Sequence, residues 1–332
     1  MRLRYIVVPV VLAAVAMGAL WTVPADDFIF TPDRAKPLAE RVVVEGAKPA
    51  GEGDVYYVDV FVRRTTLLEN LLPFTRPEGS TVIPEQDLLP DGTSEEERNR
   101  ENRLAMQQSK VVASAVALRA LGYDVKVAPR GAEIIDVGSG TPADGKLNDG
   151  DVIVGVDGQA VRTLEELSSG IGRRKPGDPV RLTVRRDGRT VTVTVGTVEH
   201  AQQPGRPIVG IIVSQDADID LPVNVEIDLG QVGGPSAGLP FALEIARMLG
   251  RDVTHGCVVA ATGELALDGT VLSVGGLQQK TIGARRSDVD VFVVPAGRNA
   301  KDARKYAKGL PVIAVESYQQ ALQKLATAPI KC

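Results

Sequence analysis

Two residues that could act together on a carbonyl stand in the C-terminal half of the chain. Ser236 lies inside Val232-Gly233-Gly234-Pro235-Ser236-Ala237-Gly238, and Lys280 closes Gly275-Gly276-Leu277-Gln278-Gln279-Lys280. The apolar stretch from Leu239 to Leu249 reads as a helix that starts at the serine turn. A serine at a glycine-rich turn into a helix is well placed for nucleophilic attack. Glycine lets a reacting carbonyl approach the backbone, and the helix N-terminus offers unpaired N–H groups and positive potential to a developing oxyanion. Those donors would come from the backbone around Ser236 and Ala237, with Gly234 supporting the turn; Pro235 has no N–H to give. An ordinary N-cap serine would leave the same pattern.

Serine is a weak nucleophile and needs a base. The chain has two histidines. His200 follows a β-rich stretch and His255 has no obvious aspartate partner in the sequence. A lysine serves if burial lowers its pKa enough to leave a free amine near neutral pH. Lys280 is surrounded by Gly275, Gly276, Leu277, Ile282, Gly283 and Ala284, all small or apolar. An exposed helical lysine is the commoner situation. A thiol nucleophile at Cys257 would have only His255 close by, two residues away in the same strand-like run. That geometry is poor, so Cys257 is expected to pack as a small apolar residue, with a disulfide to Cys332 left open. No cluster of zinc-type ligands is visible, and neither a metal nor a cofactor is expected. A net charge of −4 without a long basic run argues against nucleic acid as a partner.

The elements that must position these residues fill 332 residues, enough for two or three domains. Arg2 and Arg4 precede Tyr5 to Val23, which carries no charge. Its length at helical rise is roughly 28 Å, close to the hydrocarbon thickness. Residues 1–24 are therefore expected to be a cytoplasmic tip and a single-pass anchor in the cell membrane. The basic flank puts the N-terminus in the cytoplasm and the remainder outside. A cleaved signal peptide, with Val23-Pro24-Ala25 at its end, is the competing reading.

Beyond it, Val42-Val43-Val44 and Val55 to Val62 read as strands. Ser94-Glu95-Glu96-Glu97 reads as a capping box opening a helix to about Leu121, with Leu104, Val111, Ala115, Leu118 and Leu121 as its apolar stripe. Tyr123 to Val198 alternates short strand candidates with one helix from Thr163 to about Ile171 and an Asp187-Gly188 hairpin turn. Within it, Gly138-Ser139-Gly140-Thr141-Pro142-Ala143 and Leu147-Asn148-Asp149-Gly150-Asp151-Val152-Ile153-Val154-Gly155-Val156-Asp157-Gly158 resemble a PDZ domain of the kind carried by bacterial membrane-associated proteases. That resemblance implies an extended peptide added to a sheet edge. The edge is expected at Arg130, Gly131, Ala132, Glu133, Ile134 and Ile135. The loop before it lacks the usual Gly-aromatic pattern, and a PDZ fold that only orients its neighbour stays open. Pro204 to Pro207 reads as a linker. Strands and helices then alternate to about Leu325, an α/β or α+β pattern.

Gly234-Pro235-Ser236-Ala237-Gly238, Thr262-Gly263-Glu264-Leu265 and Gly269-x-Val271-Leu272-x-Val274-Gly275-Gly276-Leu277-x-x-Lys280 occur in the order seen in the proteolytic domain of Lon, which this part of the chain resembles. The resemblance implies a Ser236–Lys280 dyad, with Thr262 as a hydroxyl that orients the lysine. Met106-Gln107-Gln108-Ser109 is similar to the helix preceding the catalytic turn in that family. The fold expected is thus α+β: an N-terminal part of the protease fold over 40–122, a mainly-β PDZ domain over 123–200 inserted into it, and the Lon-type catalytic part over 207–326. Two features depart from the family. Gly233 stands where many Lon domains have aspartate, and the sequence has no Gly-x-x-x-x-Gly-Lys-[Ser/Thr] phosphate loop. The function expected is an ATP-independent serine endopeptidase acting on extended segments of extracytoplasmic peptides or proteins. Its other partner is a bilayer held through residues 5–23, and a homo-oligomer is compatible with the sequence. The alternative is a non-catalytic peptide-binding scaffold that keeps the protease-like domain for structure.

Overall fold

A computed structural model describes residues 17, 18, 20–48, 51–89, 94–200, 203–330 and 332. The expected membrane-spanning run lies mostly outside these residues. Among the described residues, no helix is long and apolar enough to cross a membrane. The chain divides into two compact units, residues 1–121 with 223–332, and residues 122–222.

The first unit is built on a five-stranded sheet in the order Lys36–Pro37, Asp54–Tyr57, Val258–Ala261, Val291–Pro295, Val312–Val315. The last four strands run parallel. Parallel strands are covered on both faces, which suits the near-continuous apolar runs of Val258–Ala261 and Val291–Pro295. Segments from both ends of the chain thus share one sheet. Val55 to Val62 is not the single strand its valines suggest. It breaks at Val58-Asp59, so that Asp54–Tyr57 joins the large sheet and Val60–Thr66 pairs with Pro24–Pro32 in a three-stranded antiparallel sheet. Pro24–Pro32 has no counterpart in the sequence reading, yet it buries Phe28 and Ile29.

Three helices carry the residues of interest. The long helix, Glu95–Ala120, is capped by Ser94, whose hydroxyl accepts the Glu97 N–H at 3.1 Å. Its expected stripe is corrected in part: Ala115 and Leu118 are buried as expected, Leu104 and Val111 are exposed, and Met106, Ser109, Ala113 and Ala117 are buried as well. This face packs on the serine helix, Gly238–Met248, where close approach of two backbones selects small side chains over leucine. The serine helix itself buries a charged pair. Arg247 donates to both carboxylate oxygens of Glu244 at 2.8 and 2.9 Å. The lysine helix, Leu277–Arg285, completes the set. Cys257 is not a free apolar residue: it is disulfide-bonded to Cys332, with Cα atoms 5.1 Å apart.

In the second unit the sheet runs Arg189–Gly196, Pro179–Arg186, Val152–Val156, Lys126–Val137, Ile211–Asp220. The Asp187-Gly188 turn has φ of 48° and 74°, the primed geometry that suits strand twist. Thr163 and Glu166 form a capping box on the Leu164–Gly172 helix. Two expectations are corrected here. Residues 204–207 are not a linker; they lie in the strand Gln203–Ile208, paired with Val198–His200. Nor is Ala132–Ile135 at a sheet edge. Ala132 pairs with Ile153 on one side and Gln215 on the other, and Glu133 with Val152 and Ser214. Ala132 and Ile134 face the core, and Arg130 is held by Asp216 and Asp218 at 3.2 and 2.8 Å. Gly131 presses on the neighbouring strand, where a Cβ would meet the Ile153 carbonyl at 2.7 Å. The outer strands are Arg189–Gly196 and Ile211–Asp220; the second lies in residues expected to belong to the catalytic part, where the sequence suggests a strand only over 208–213.

Candidate active site

Gly234 sets the serine turn. Its φ of 86° is strained for any residue with a Cβ, and its N–H donates to the Asn102 carbonyl of the long helix at 2.8 Å. That N–H is therefore committed to the scaffold, so Gly234 supports the turn without facing a substrate oxyanion. Pro235–Ala237 form a short 3-10 turn that runs directly into the serine helix. In a 3-10 turn opened by Gly234 the i→i+3 bonds begin at Ala237, which leaves the Ser236 N–H at the head of the turn without an acceptor inside it and able to face a developing oxyanion. The turn is gripped from below. The Ser236 carbonyl accepts from the Gly263 N–H at 2.9 Å and from the Thr262 hydroxyl at 3.1 Å. The Ser109 hydroxyl donates to the Pro235 carbonyl at 2.9 Å.

Gly276, in the left-handed region with φ of 71°, starts the lysine helix and turns Lys280 inward. Lys280 Nζ lies 2.7 Å from Ser236 Oγ and 3.1 Å from Thr262 Oγ1. Thr262 is fully buried at the end of the Val258–Ala261 strand, its N–H fixed on the Val293 carbonyl at 3.0 Å. Lys280 is 4% exposed. Burial lowers its pKa to about 8, against a weaker opposing pull from Asp59 that favours the ammonium. A neutral amine is thus within reach at mildly alkaline pH and is positioned to take the serine proton. Ser236, Lys280, Thr262 and Ala237 come together as a unit.

These residues open onto a cavity of about 710 Å³, which Tyr57, Asp59, Phe61, Asn102 and Met106 also line. Asp59 was not singled out by sequence, because its position depends on the break between two strands. Burial raises its pKa, opposed by the Lys36 ammonium 3.2 Å away. Its Oδ1 is buried and has no hydrogen-bond partner among the described residues. Ser109 and Asn102 were also missed as site residues. Both lie on the long helix, and only the folded packing brings them under the turn. Gly233 has a local reason: a Cβ there would stand 2.9 Å from the Asn102 Cβ, so an aspartate would have to push the long helix away.

The alternative bases are set aside by position. His255 sits at the surface against Asp252 at 3.3 Å, so it does have an aspartate partner, and it does not line the cavity. Among the described residues, the one grouping of metal-type ligands is Cys257, Asp290 and Cys332, whose two sulfurs are bonded to each other.

Comparison with known proteins bears on this geometry. Residues 216–328 match the Lon protease (S16) C-terminal proteolytic domain. The chain carries a Lon-type serine peptidase domain. Residues 119–197 match a PDZ domain. The Lon-type part is 38% identical over 91 residues to the Lon protease of Mesomycoplasma hyopneumoniae, covering 26% of this chain and 10% of that protein. It is 42% identical over 83 residues to the Lon protease of Paraburkholderia phytofirmans, covering 24% of this chain and 10% of that protein. The chain thus spans about a tenth of the length of these relatives. Among solved structures, the PDZ domain of an SdrC-like protein from Listeria monocytogenes is 26% identical, covering 26% of this chain and 92% of that one, with a TM-score of 0.25. Ser236, Thr262 and Lys280 all fall within the Lon-type match.

Proposed function

We propose that the protein is an ATP-independent serine endopeptidase that uses a Ser236–Lys280 dyad outside the cytoplasm. The observation that carries this reading is the 2.7 Å contact between a buried lysine amine and the serine hydroxyl at the head of a helix. In the reaction, neutral Lys280 takes the Ser236 proton as Oγ attacks the scissile carbonyl. The oxyanion is met by the Ser236 N–H at the positive end of the serine helix. Lys280 then returns the proton to the leaving amine, and the acyl-enzyme is hydrolysed with Lys280 again as base. Thr262 holds the amine on line toward the hydroxyl.

Delivery of substrate is assigned to the edge strand Ile211–Asp220 rather than to residues 130–135. An extended peptide would add to that edge by main-chain hydrogen bonds. Gln215 supports it as a built site: it accepts the Leu164 N–H at 3.3 Å and donates to the Arg162 carbonyl at 2.7 Å, tying the strand to the start of the Leu164–Gly172 helix. A disulfide supports an oxidising compartment. The uncharged run from Tyr5 to Val23, with Arg2 and Arg4 before it, supports a single-pass anchor with the N-terminus in the cytoplasm. The substrate class is accordingly an extended segment of an extracytoplasmic peptide or protein.

The test is cleavage of casein and of unstructured peptides by the full chain in detergent, with and without ATP, beside Ser236→Ala and Lys280→Ala. Cleavage indifferent to ATP and lost in both variants is expected. Equal cleavage by all three proteins would remove the dyad, and a stable, folded protein that cleaves nothing would favour the scaffold reading.

A further inference from the structure

Three large apolar side chains stand exposed on one short piece of the first unit: Leu67 at 37%, Leu71 at 66% and Phe74 at 82%. Leu67 and Leu71, four residues apart, lie on one face of the Leu67–Leu71 helix, and Phe74 follows in the Pro73–Thr75 turn after the chain leaves the helix at Leu72. The opposite face carries Leu68 and Glu69, both buried. The rotation of the helix is fixed. Thr66 and Glu69 form a capping box, and Arg63 donates to both Glu69 oxygens at 2.6 and 2.8 Å. The apolar side is therefore held outward by the same bonds that start the helix.

What lies beside this face identifies its partner. The Leu67 N–H donates to the Val23 carbonyl at 3.0 Å. Trp21, itself 60% exposed, shares a surface hollow with Thr66 and Glu69. Val23 lies near the end of the uncharged run that begins at Tyr5 and stops before Asp26. The helix thus starts where the chain leaves that run.

We infer that residues Leu67–Thr75 form a foot in the membrane interface, with Leu67, Leu71 and Phe74 set into the headgroup–acyl boundary of the bilayer that holds residues 5–23. The inference rests on the anchor reading above. It adds that the catalytic unit is docked on the lipid surface rather than swinging free on a tether. Trp21 marks the interfacial end of the anchor, as tryptophan does at membrane–water boundaries.

The chain has a single tryptophan, which makes the test direct. The full chain is reconstituted in phosphatidylcholine vesicles, once as wild type and once as Trp21→Phe/Phe74→Trp. Emission is read with plain lipid, with lipid brominated close to the headgroup, and with aqueous acrylamide. We expect shallow-brominated lipid to quench both indoles, and acrylamide to quench the one at position 74 less than it quenches free tryptophan. Quenching of Trp21 by brominated lipid, with an indole at 74 that only acrylamide reaches, would overturn the foot and leave the anchor standing. A blue-shifted indole at 74 that neither agent reaches would show that protein, such as a second copy of the chain, covers the face, and would also overturn the inference. Loss of lipid quenching at both positions would remove the anchor reading itself.

Discussion

The Ser109 hydroxyl donates to the Pro235 carbonyl at 2.9 Å, fixing the residue that precedes Ser236 to the long helix. Ser109 is 5% exposed, so no water replaces it freely. Ser109→Ala should cost about 1 kcal/mol of stability by loss of one buried hydrogen bond. Because the turn loosens without losing substrate contacts, kcat should fall several-fold with KM nearly unchanged. Thermal unfolding and steady-state kinetics on the same preparation check both. An unchanged kcat would mean the turn holds without this bond.

Thr262 bridges the dyad, accepting from Lys280 Nζ and donating to the Ser236 carbonyl, each at 3.1 Å. Thr262→Val keeps shape and removes both bonds. The Ser236 carbonyl keeps the Gly263 N–H and Lys280 keeps Ser236, so the cost is two buried hydrogen bonds of about 1 kcal/mol each, and a fall in kcat/KM of about ten-fold is expected. Thr262→Ser should restore most of it, since the hydroxyl rather than the methyl does the positioning. Failure of serine to rescue would point to packing instead.

The pH dependence follows from Lys280. Its pKa is lowered to about 8 by burial, so kcat/KM should rise with pH through that region as the ammonium loses its proton. Asp59 opposes the shift by favouring the charged amine. Asp59→Asn removes that pull, lowers the pKa further and should move the rising limb to lower pH. A limb that stays in place, or moves up, would disconnect Asp59 from the base.

The same buried lysine should weaken the fold. In the unfolded chain its pKa is near 10.5 and in the folded one about 8. Below pH 8 both states carry the proton, and the folded state bears the burial penalty, worth about 3 kcal/mol at most. As pH rises from 8 to 10.5 the folded state sheds its proton first and the penalty disappears. Lys280→Met should therefore be inactive yet more stable than wild type well below pH 8, with the gain fading on the alkaline side. A uniform loss of stability would mean that the lost bonds to Ser236 and Thr262 outweigh desolvation.

Residues acting through local pattern were legible in the sequence. Ser236, Lys280 and Thr262 lie in motifs, and the structure brings them within hydrogen-bond distance. The Ser94 cap, the Asp187-Gly188 turn and the helix after Thr163 declared themselves by residue type. What failed depended on partners distant in sequence. Leu104 and Val111 fit a helical period as well as the true buried face, and only the serine helix decides between them. Ala132 to Val137 and Ile208 to Val213 both read as strands, but edge and interior are properties of the sheet. Asp59 and Ser109 look like ordinary polar residues until the strand break and the helix packing bring them to the site. Glu244 and Arg247 satisfy each other, which lets a charged pair hide in the core.

The central claim is that Ser236 Oγ attacks and Lys280 takes its proton. The direct measurement is intact and peptide-level mass spectrometry after acid quench of the enzyme with an activated peptide ester. The account predicts an acyl mass on the peptide that contains Ser236, absent in Ser236→Ala and formed at least about a thousand-fold more slowly in Lys280→Ala. Turnover of the ester with no adduct on Ser236, unaffected by either substitution, would contradict it.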